Sequence, residues 1–92
     1  MTTKTSKQNL IMLKNALLIK NLHNIDKKIL GQNIKNYRLF NNLTQLELSK
    51  KVGLTISAIN KIENGINYPK KENLLKICKI LNVHLYQLCK NC

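Results

Sequence analysis

The sequence predicts an all-α fold, and three observations lead to this prediction. Its 92 residues are enough for one small domain with a modest core. Hydrophobic residues make up 43% of the chain but aromatic residues only 4%, so leucine and isoleucine must fill most of that core. One proline and three glycines are few helix breakers, and apolar residues recur at helical spacings. The chain is therefore expected to form helices joined by short connections.

The first predicted helix runs from Leu10 to about Leu22 and is amphipathic. A single helix of this length is marginal alone, so its apolar face must pack on the rest of its own chain or on a second copy. We favour the second copy, because a symmetric dimer needs a self-complementary surface. The apolar residues are Leu10, Ile11, Leu13, Leu17, Leu18 and Leu22.

The next helix is predicted over residues 29–40, after a segment, HNIDKK, that is compatible with either a break or a continuation. Two asparagines follow it and favour a left-handed stop. Spacings of four and three indicate which residues face inward. They are Leu30, Ile34 and Tyr37, with Leu39 as a further candidate.

A third helix is predicted over 45–52. Thr44 is a favourable N-cap, and Glu47 three residues later completes a capping box. Gly53 then supplies the positive φ of a tight turn. The residues expected inside are Leu46 together with Leu48 or Val52.

A fourth helix is predicted after Thr55, a second N-cap, and it ends at Asn64-Gly65, a typical C-terminal stop. Ile59 and Ile62 share one stripe of this helix. An outer face of small, hydrogen-bonding side chains is unusual on so short a helix, and it indicates a function for that face. The outer residues are Ser57, Asn60, Lys61 and Asn64.

Two more helices are predicted after a loop at INYPK, where Pro69 disfavours helix just before it. The segment KENLLKICKIL is amphipathic, and HLYQLCKNC contains a last short helix that buries Leu85 and Leu88. The broad apolar side of the longer helix carries Leu74, Leu75, Ile77, Cys78 and Leu81.

The charge of the chain is strongly one-sided, with 16 Lys and Arg residues against 4 Asp and Glu residues and a net charge of +12. A polyanionic partner relieves such self-repulsion, which favours nucleic acid or an anionic surface. The excess of lysine and asparagine, with Arg38 as the single arginine, also fits an AT-rich genome. No apolar stretch approaches the roughly 20 residues that span a bilayer. An odd count of three cysteines fits a reducing cytoplasm.

The segment TQLELSKKVGLTISAINKIENG has the helix-turn-helix pattern, two short helices joined by a glycine-containing turn. In this motif the first helix crosses the DNA backbone, and the second lies in the major groove with its N-terminal residues at base edges. The second helix must be polar and exposed on one side and anchored by aliphatic residues on the other. The outer face of the fourth helix has this character.

With these motifs in place, residues 30–88 resemble the Cro and repressor type of helix-turn-helix domain, also called the xenobiotic-response-element family. The most specific matches are LTQLELSKKVGLT, INKIENG, the proline four residues after Gly65, and LLKICKILNV. The resemblance implies a compact bundle of five helices that binds double-stranded DNA, usually as a symmetric dimer. Residues 29–92 would form this domain, and residues 1–28 an extension with an extra amphipathic helix that serves dimerisation.

The resemblance also implies roles for individual residues. Gln45 matches a position that holds a phosphate, and Asn64 one that touches the backbone. Arg38 and Glu63 match a buried ion pair between the first helix of the domain and the recognition helix, which a fork-shaped guanidinium suits. Ile56, Ser57, Asn60 and Lys61 match base-contacting positions.

Three further residues are candidates for phosphate contact. They are Thr44, next to Gln45, and Lys70 and Lys71, for which a solvated loop is the alternative. Ile56 departs from the family, where a polar residue is usual. An aliphatic side chain can contact a thymine methyl group but cannot form a hydrogen bond to a base.

A zinc site and a catalytic site are less consistent with the sequence than DNA binding. Cys89 and Cys92 form C-x-x-C, and with Cys78 and His84 they could bind zinc, but the apolar positions of Cys78 and Cys89 favour buried thiols, so we expect neither metal nor cofactor. Four carboxylates allow no paired catalytic set, so an enzyme with a small-molecule substrate is not expected.

The function predicted is therefore a cytoplasmic, nucleoid-associated transcriptional regulator, a repressor that binds a palindromic operator as a homodimer. The alternative is a protein-interaction adaptor, similar to an antitoxin or a coactivator, that keeps the fold. A membrane-surface role for the basic N-terminal helix is less favoured.

Overall fold

A computed structural model describes residues 3–21 and 24–92, and all regular structure in that part is helical. The all-α class is therefore confirmed, with a five-helix bundle preceded by one extra helix. None of the described helices is long and apolar enough to cross a membrane. The helices are α1 (Thr3–Lys20), α2 (Lys27–Phe40), α3 (Gln45–Val52), α4 (Ile56–Glu63), α5 (Lys71–Leu81) and α6 (Leu85–Leu88).

Local capping signals set the ends of the central helices as expected. The Thr44 backbone N–H donates to Oε1 of Glu47 at 2.8 Å, and the Glu47 N–H donates to Oγ1 of Thr44 at 3.0 Å, so the capping box forms. The hydrogen bond from the Thr44 backbone lowers the pKa of the Glu47 carboxyl group. Thr55 accepts from the Ala58 N–H at 3.1 Å. Gly53 ends α3 with a φ of 87°.

Leucine and isoleucine fill the core, and five of the six helices contribute to it. Three residues expected inside are instead exposed: Leu39 by 53%, Leu46 by 48% and Leu75 by 43%. The reason is rotational, since Leu46 precedes Leu48 by two residues and points away when Leu48 faces inward. The most deeply buried side chains are Leu30, Ile34, Leu48, Ile59, Leu74, Ile77 and Leu88.

The connection between α1 and α2 is a break in the helix. Ile25 is only 5% exposed and joins the core, although it lies within the predicted extension. Asp26 caps α2 by accepting from two backbone N–H groups, so α2 begins at Lys27, two residues before its predicted start. Leu22, which was expected in the first helix, lies outside the described residues.

Helix α1 begins earlier than predicted and packs on α6. The carbonyl oxygen of the Asn15 side chain accepts from the Tyr86 backbone N–H at 3.1 Å, and Nζ of Lys14 lies 5.4 Å from the centre of the Tyr86 ring. Ile11, Leu18 and Ile19 are half-buried on this side. The apolar residues of α1 therefore do not form one face. Leu10, Leu13 and Leu17 form a separate stripe and are 52%, 56% and 52% exposed.

The cysteines cluster near the end of the chain. Cys78 and Cys89 are buried, and burial raises the pKa of their thiols to about 11 and about 12. His84, the fourth zinc ligand considered, is exposed. Among the described residues, no three His, Cys, Asp or Glu side chains are placed to hold a metal ion. Cys78 and Cys89 thus contribute to the core as small apolar residues.

Candidate nucleic-acid interface

Helix α4 divides into a buried and an exposed side. Ile59 is 1% exposed and Ile62 is 5% exposed, and both anchor the helix in the core. Helix α4 packs on α2 and α3, which leaves its opposite side to solvent. Each of the four base-contact candidates is exposed, and Ile56, the apolar one, is 48% exposed. The other three are Ser57, Asn60 and Lys61.

Two amides on the exposed side of α4 are already joined. The Nδ2 atom of Asn64 donates to Oδ1 of Asn60 at 3.0 Å. This contact holds the Asn60 side chain with its NH₂ group available as a donor and one lone pair of Oδ1 still free. An asparagine so oriented can pair with the N6 and N7 edge of adenine, which needs one donor and one acceptor.

The C-terminal end of α4 is fixed by a buried ion pair between Arg38 and Glu63, whose side chains are 7% and 1% exposed. The Arg38 Nε donates to Glu63 Oε2 at 2.6 Å, and Nη2 donates to Oε1 at 3.0 Å. Nη1 donates to the carbonyl oxygen of Leu43 at 2.7 Å, so three guanidinium nitrogens are used. Because the contact is bidentate, it sets the orientation of α4 relative to α2 as well as their distance.

Gln45 enters the same network, which sequence reasoning missed. Its Nε2 atom donates to Glu63 Oε1 at 3.0 Å, so one carboxylate ties the start of α3 to the end of α4. Gln45 is only half-buried and has a second amide hydrogen to offer. Its predicted phosphate contact would therefore come from a side chain held in place before DNA arrives. Gln45 and Glu63 lie 18 positions apart, and no local pattern links them.

Two glycines allow α2 to approach α4 closely, and this contact was also missed. A Cβ atom on Gly31 would lie 2.8 Å from the carbonyl oxygen of Glu63. A Cβ atom on Gly65 would lie 2.7 Å from Cα of Lys28, and Gly65 has a φ of 73°. The signal for Gly31 was present in the sequence, because an isolated glycine inside a helical pattern often marks close packing.

The remaining phosphate-contact candidates lie at helix starts. Thr44 is exposed, and its hydroxyl oxygen accepts the capping hydrogen bond of α3. Lys70 and Lys71 are exposed at the start of α5, after the loop that follows α4. The structure therefore leaves Lys70 and Lys71 in solvent. Among the other predicted site residues, it joins Asn60 to Asn64 by a hydrogen bond.

Comparisons with known proteins identify a helix-turn-helix family and relatives among regulatory proteins. The helix-turn-helix family model matches residues 34–88. The transcriptional repressor RstR of the cryptic phage CTXphi from Vibrio cholerae is 31% identical over 58 residues, which are 63% of this chain and 52% of RstR. The antitoxin PezA of Streptococcus pneumoniae is 36% identical over 55 residues, which are 60% of this chain and 35% of PezA.

A third relative comes from a bacteriophage. The ImmF control region 10 kDa protein of Bacillus phage phi105 is 34% identical over 61 residues, which are 66% of this chain and 68% of that protein. The aligned segments thus span about half of RstR, about a third of PezA and about two thirds of the phage phi105 protein.

Proposed function

Since this chain belongs to the helix-turn-helix family of the Cro and repressor type, we propose that it is a sequence-specific DNA-binding transcriptional repressor. The observation that carries the proposal is the exposed side of α4, where Ser57, Asn60 and Lys61 face solvent opposite a buried aliphatic anchor. The names of two relatives, a transcriptional repressor and a control-region protein, support the same function. The chain would act on DNA in the cytoplasm without catalysis.

The mechanism follows from the geometry of α4 and its neighbours. Helix α4 lies in the major groove, with Asn60 and Lys61 at base edges and Ile56 against a thymine methyl group. Gln45, at the start of α3, contacts a phosphate, and because it is bonded to Glu63 this contact fixes the register of α4. Repression results when the bound protein occupies an operator.

Selection from a random pool tests this proposal most directly. Duplex DNA fragments are bound to the purified chain, recovered, amplified and sequenced over several rounds. We expect a short palindromic motif to emerge, because a symmetric dimer presents two copies of α4 to two half-sites. Recovered fragments without a common motif would contradict sequence-specific binding.

Base contacts and phosphate contacts should respond differently to substitution. We expect Asn60→Ala or Lys61→Ala to cost about 1–3 kcal/mol on the selected site and to relax the preference at one base pair. Gln45→Ala should instead weaken binding to all sequences about equally, because phosphate contacts carry little direct sequence information. Titration of each variant against the selected site and its single-base variants measures both effects. Altered base preference in Gln45→Ala with unaltered preference in Asn60→Ala would reverse these roles.

We also propose that the chain forms a homodimer through α1. The exposed stripe of Leu10, Leu13 and Leu17 has spacings of three and four, which suit a seam between two helices. The stripe lies on the side of α1 away from the Asn15 contact with α6, so it stays accessible when α1 packs on the bundle. Residues 1–28 would then be the dimerisation element of the chain.

Polar substitutions on the stripe should separate the dimer without unfolding the chain. We expect Leu13→Gln with Leu17→Gln to change the mass in solution from dimer to monomer, because both side chains are already exposed in one copy. Met12→Gln is the matched control, since Met12 is 67% exposed but lies about 100° further round the helix from Leu13. A dimer that persists in the double variant would place the interface elsewhere.

The protein-interaction adaptor remains the second candidate function. The antitoxin relative and the apolar stripe on α1 favour it. An adaptor would bind a partner protein through this stripe and would yield no common motif in the selection experiment.

A further inference from the structure

Lysines from separate parts of the chain meet beside the start of α5. Lys20, the last residue of α1, lines a groove of about 510 Å³ together with Lys70 and Lys71. Half-buried Ile19 and buried Pro69 line the same groove. All three lysines are exposed, so their ammonium groups can reach a ligand without any rearrangement of the backbone.

A fourth lysine approaches the groove from α2. The Nζ atom of Lys27 lies 5.6 Å from the centre of the Tyr68 ring, and Tyr68 lines the groove. Glu72 is the one acidic residue among the groove-lining residues. Among the described residues, the ion pair found joins Arg38 to Glu63, so none of the four lysines forms an ion pair with a described carboxylate.

We propose that Lys20 and Lys27 extend the phosphate-contacting surface of Lys70 and Lys71, so that the N-terminal extension helps to bind the backbone of the DNA contacted by α4. This inference rests on the proposed function and adds residues to it, since both Lys20 and Lys27 precede the family match at 34–88.

Position and charge support the backbone of DNA as the ligand. Lys70 and Lys71 follow the loop after α4, so the groove lies next to the segment that leaves the recognition helix. Helix α2 approaches the same segment, because Lys28 packs against Gly65. Three lysines line the groove, Lys27 lies at its Tyr68 side, and Glu72 is the carboxylate among the lining residues, so the positive charge is in excess. A row of phosphates would relieve that excess while releasing the counterions of the DNA.

The salt dependence of binding to a duplex of random sequence tests the proposal, because phosphate contacts do not require an operator. For Lys20→Ala we expect the plot of log affinity against log salt to become shallower by about 0.9 per bound protomer, and for Lys20→Ala with Lys27→Ala by about twice that. Lys79→Ala is the matched control, since it removes the same charge from the far end of α5, about 12 Å along the helix from Lys71. A melting curve of each variant verifies that it is folded.

Each outcome of the salt titration supports or overturns the extended phosphate-contacting surface. A shallower slope for Lys20→Ala with an unaltered slope for Lys79→Ala supports the extended surface. Equal slopes for the parent chain and Lys20→Ala overturn it, as does an equal loss in Lys79→Ala, which would be an effect of net charge alone. Failure of the parent chain to bind any duplex would overturn the proposed function, and the extended surface with it.

Discussion

Replacement of Arg38 by alanine should destabilise the protein by about 3–5 kcal/mol, because it leaves a buried carboxylate without its counter-charge. Glu63 is 5% exposed and would retain one described side-chain donor, the Nε2 atom of Gln45. The Leu43 carbonyl oxygen would lose the hydrogen bond from Nη1 of Arg38. A loss of this size is a large part of the stability of a small domain.

A double replacement distinguishes a buried pair from an exposed one. We expect Arg38→Met with Glu63→Leu to be milder than either single truncation, because two apolar side chains leave no unpaired charge in the core. Chemical denaturation of the parent chain, Arg38→Ala, Glu63→Ala and the double variant measures the four free energies of unfolding. Single losses below about 1 kcal/mol would mean that the pair behaves as an exposed ion pair.

The same network links the stability of the chain to its proposed interface. Glu63 is held by Arg38 from α2 and bonded by Gln45 from α3, so three helices meet at one carboxylate. A variant at Arg38 that still folds should therefore bind DNA more weakly, since Gln45 and the end of α4 lose their common support.

Local signals explain how much of the fold could be predicted from the sequence. The bounds of α3 were predicted correctly because Thr44 and Gly53 are specific cap residues, and α4 was predicted within a residue or two from Thr55 and Gly65. Such signals act within four residues and need no knowledge of the tertiary structure. The family was identified in the same way, from motifs that include these caps.

The predictions of buried residues were wrong where tertiary packing determines which side of a helix is covered. Leu46 and Leu75 are apolar and helical, but the crossing of helices determines which part of a broad apolar face is covered. Helix α1 is the strongest case, because its apolar residues divide between the contact with α6 and the stripe at Leu10, Leu13 and Leu17. Spacing alone did not reveal that division.

The candidate site could likewise be predicted only in part from the sequence. The exposed side of α4 could be predicted from spacings of three and four, and the pairing of Arg38 with Glu63 from the resemblance to the family. The bond from Gln45 to Glu63 and the close approach at Gly31 could not be predicted, because both depend on how α2, α3 and α4 cross.

Affinity for DNA should fall about 10³- to 10⁵-fold between about 50 and 200 mM salt if a dimer makes about 6–10 phosphate contacts. The charge distribution supports a number in this range. Lys20, Lys27, Lys70 and Lys71 in each of two protomers would provide about eight cationic contacts. Each contact releases counterions from the DNA, and the entropy of that release shrinks as salt is added.

Fluorescence anisotropy with a labelled duplex at four or five salt concentrations measures how the affinity falls with salt. The net charge of +12 alone produces long-range attraction, which salt also screens, so the comparison with Lys79→Ala separates the two contributions. An affinity that changes less than about tenfold over this range would mean that few phosphates are neutralised. The excess of lysine would then reflect the composition of the genome, and the adaptor function would become the better explanation of this chain.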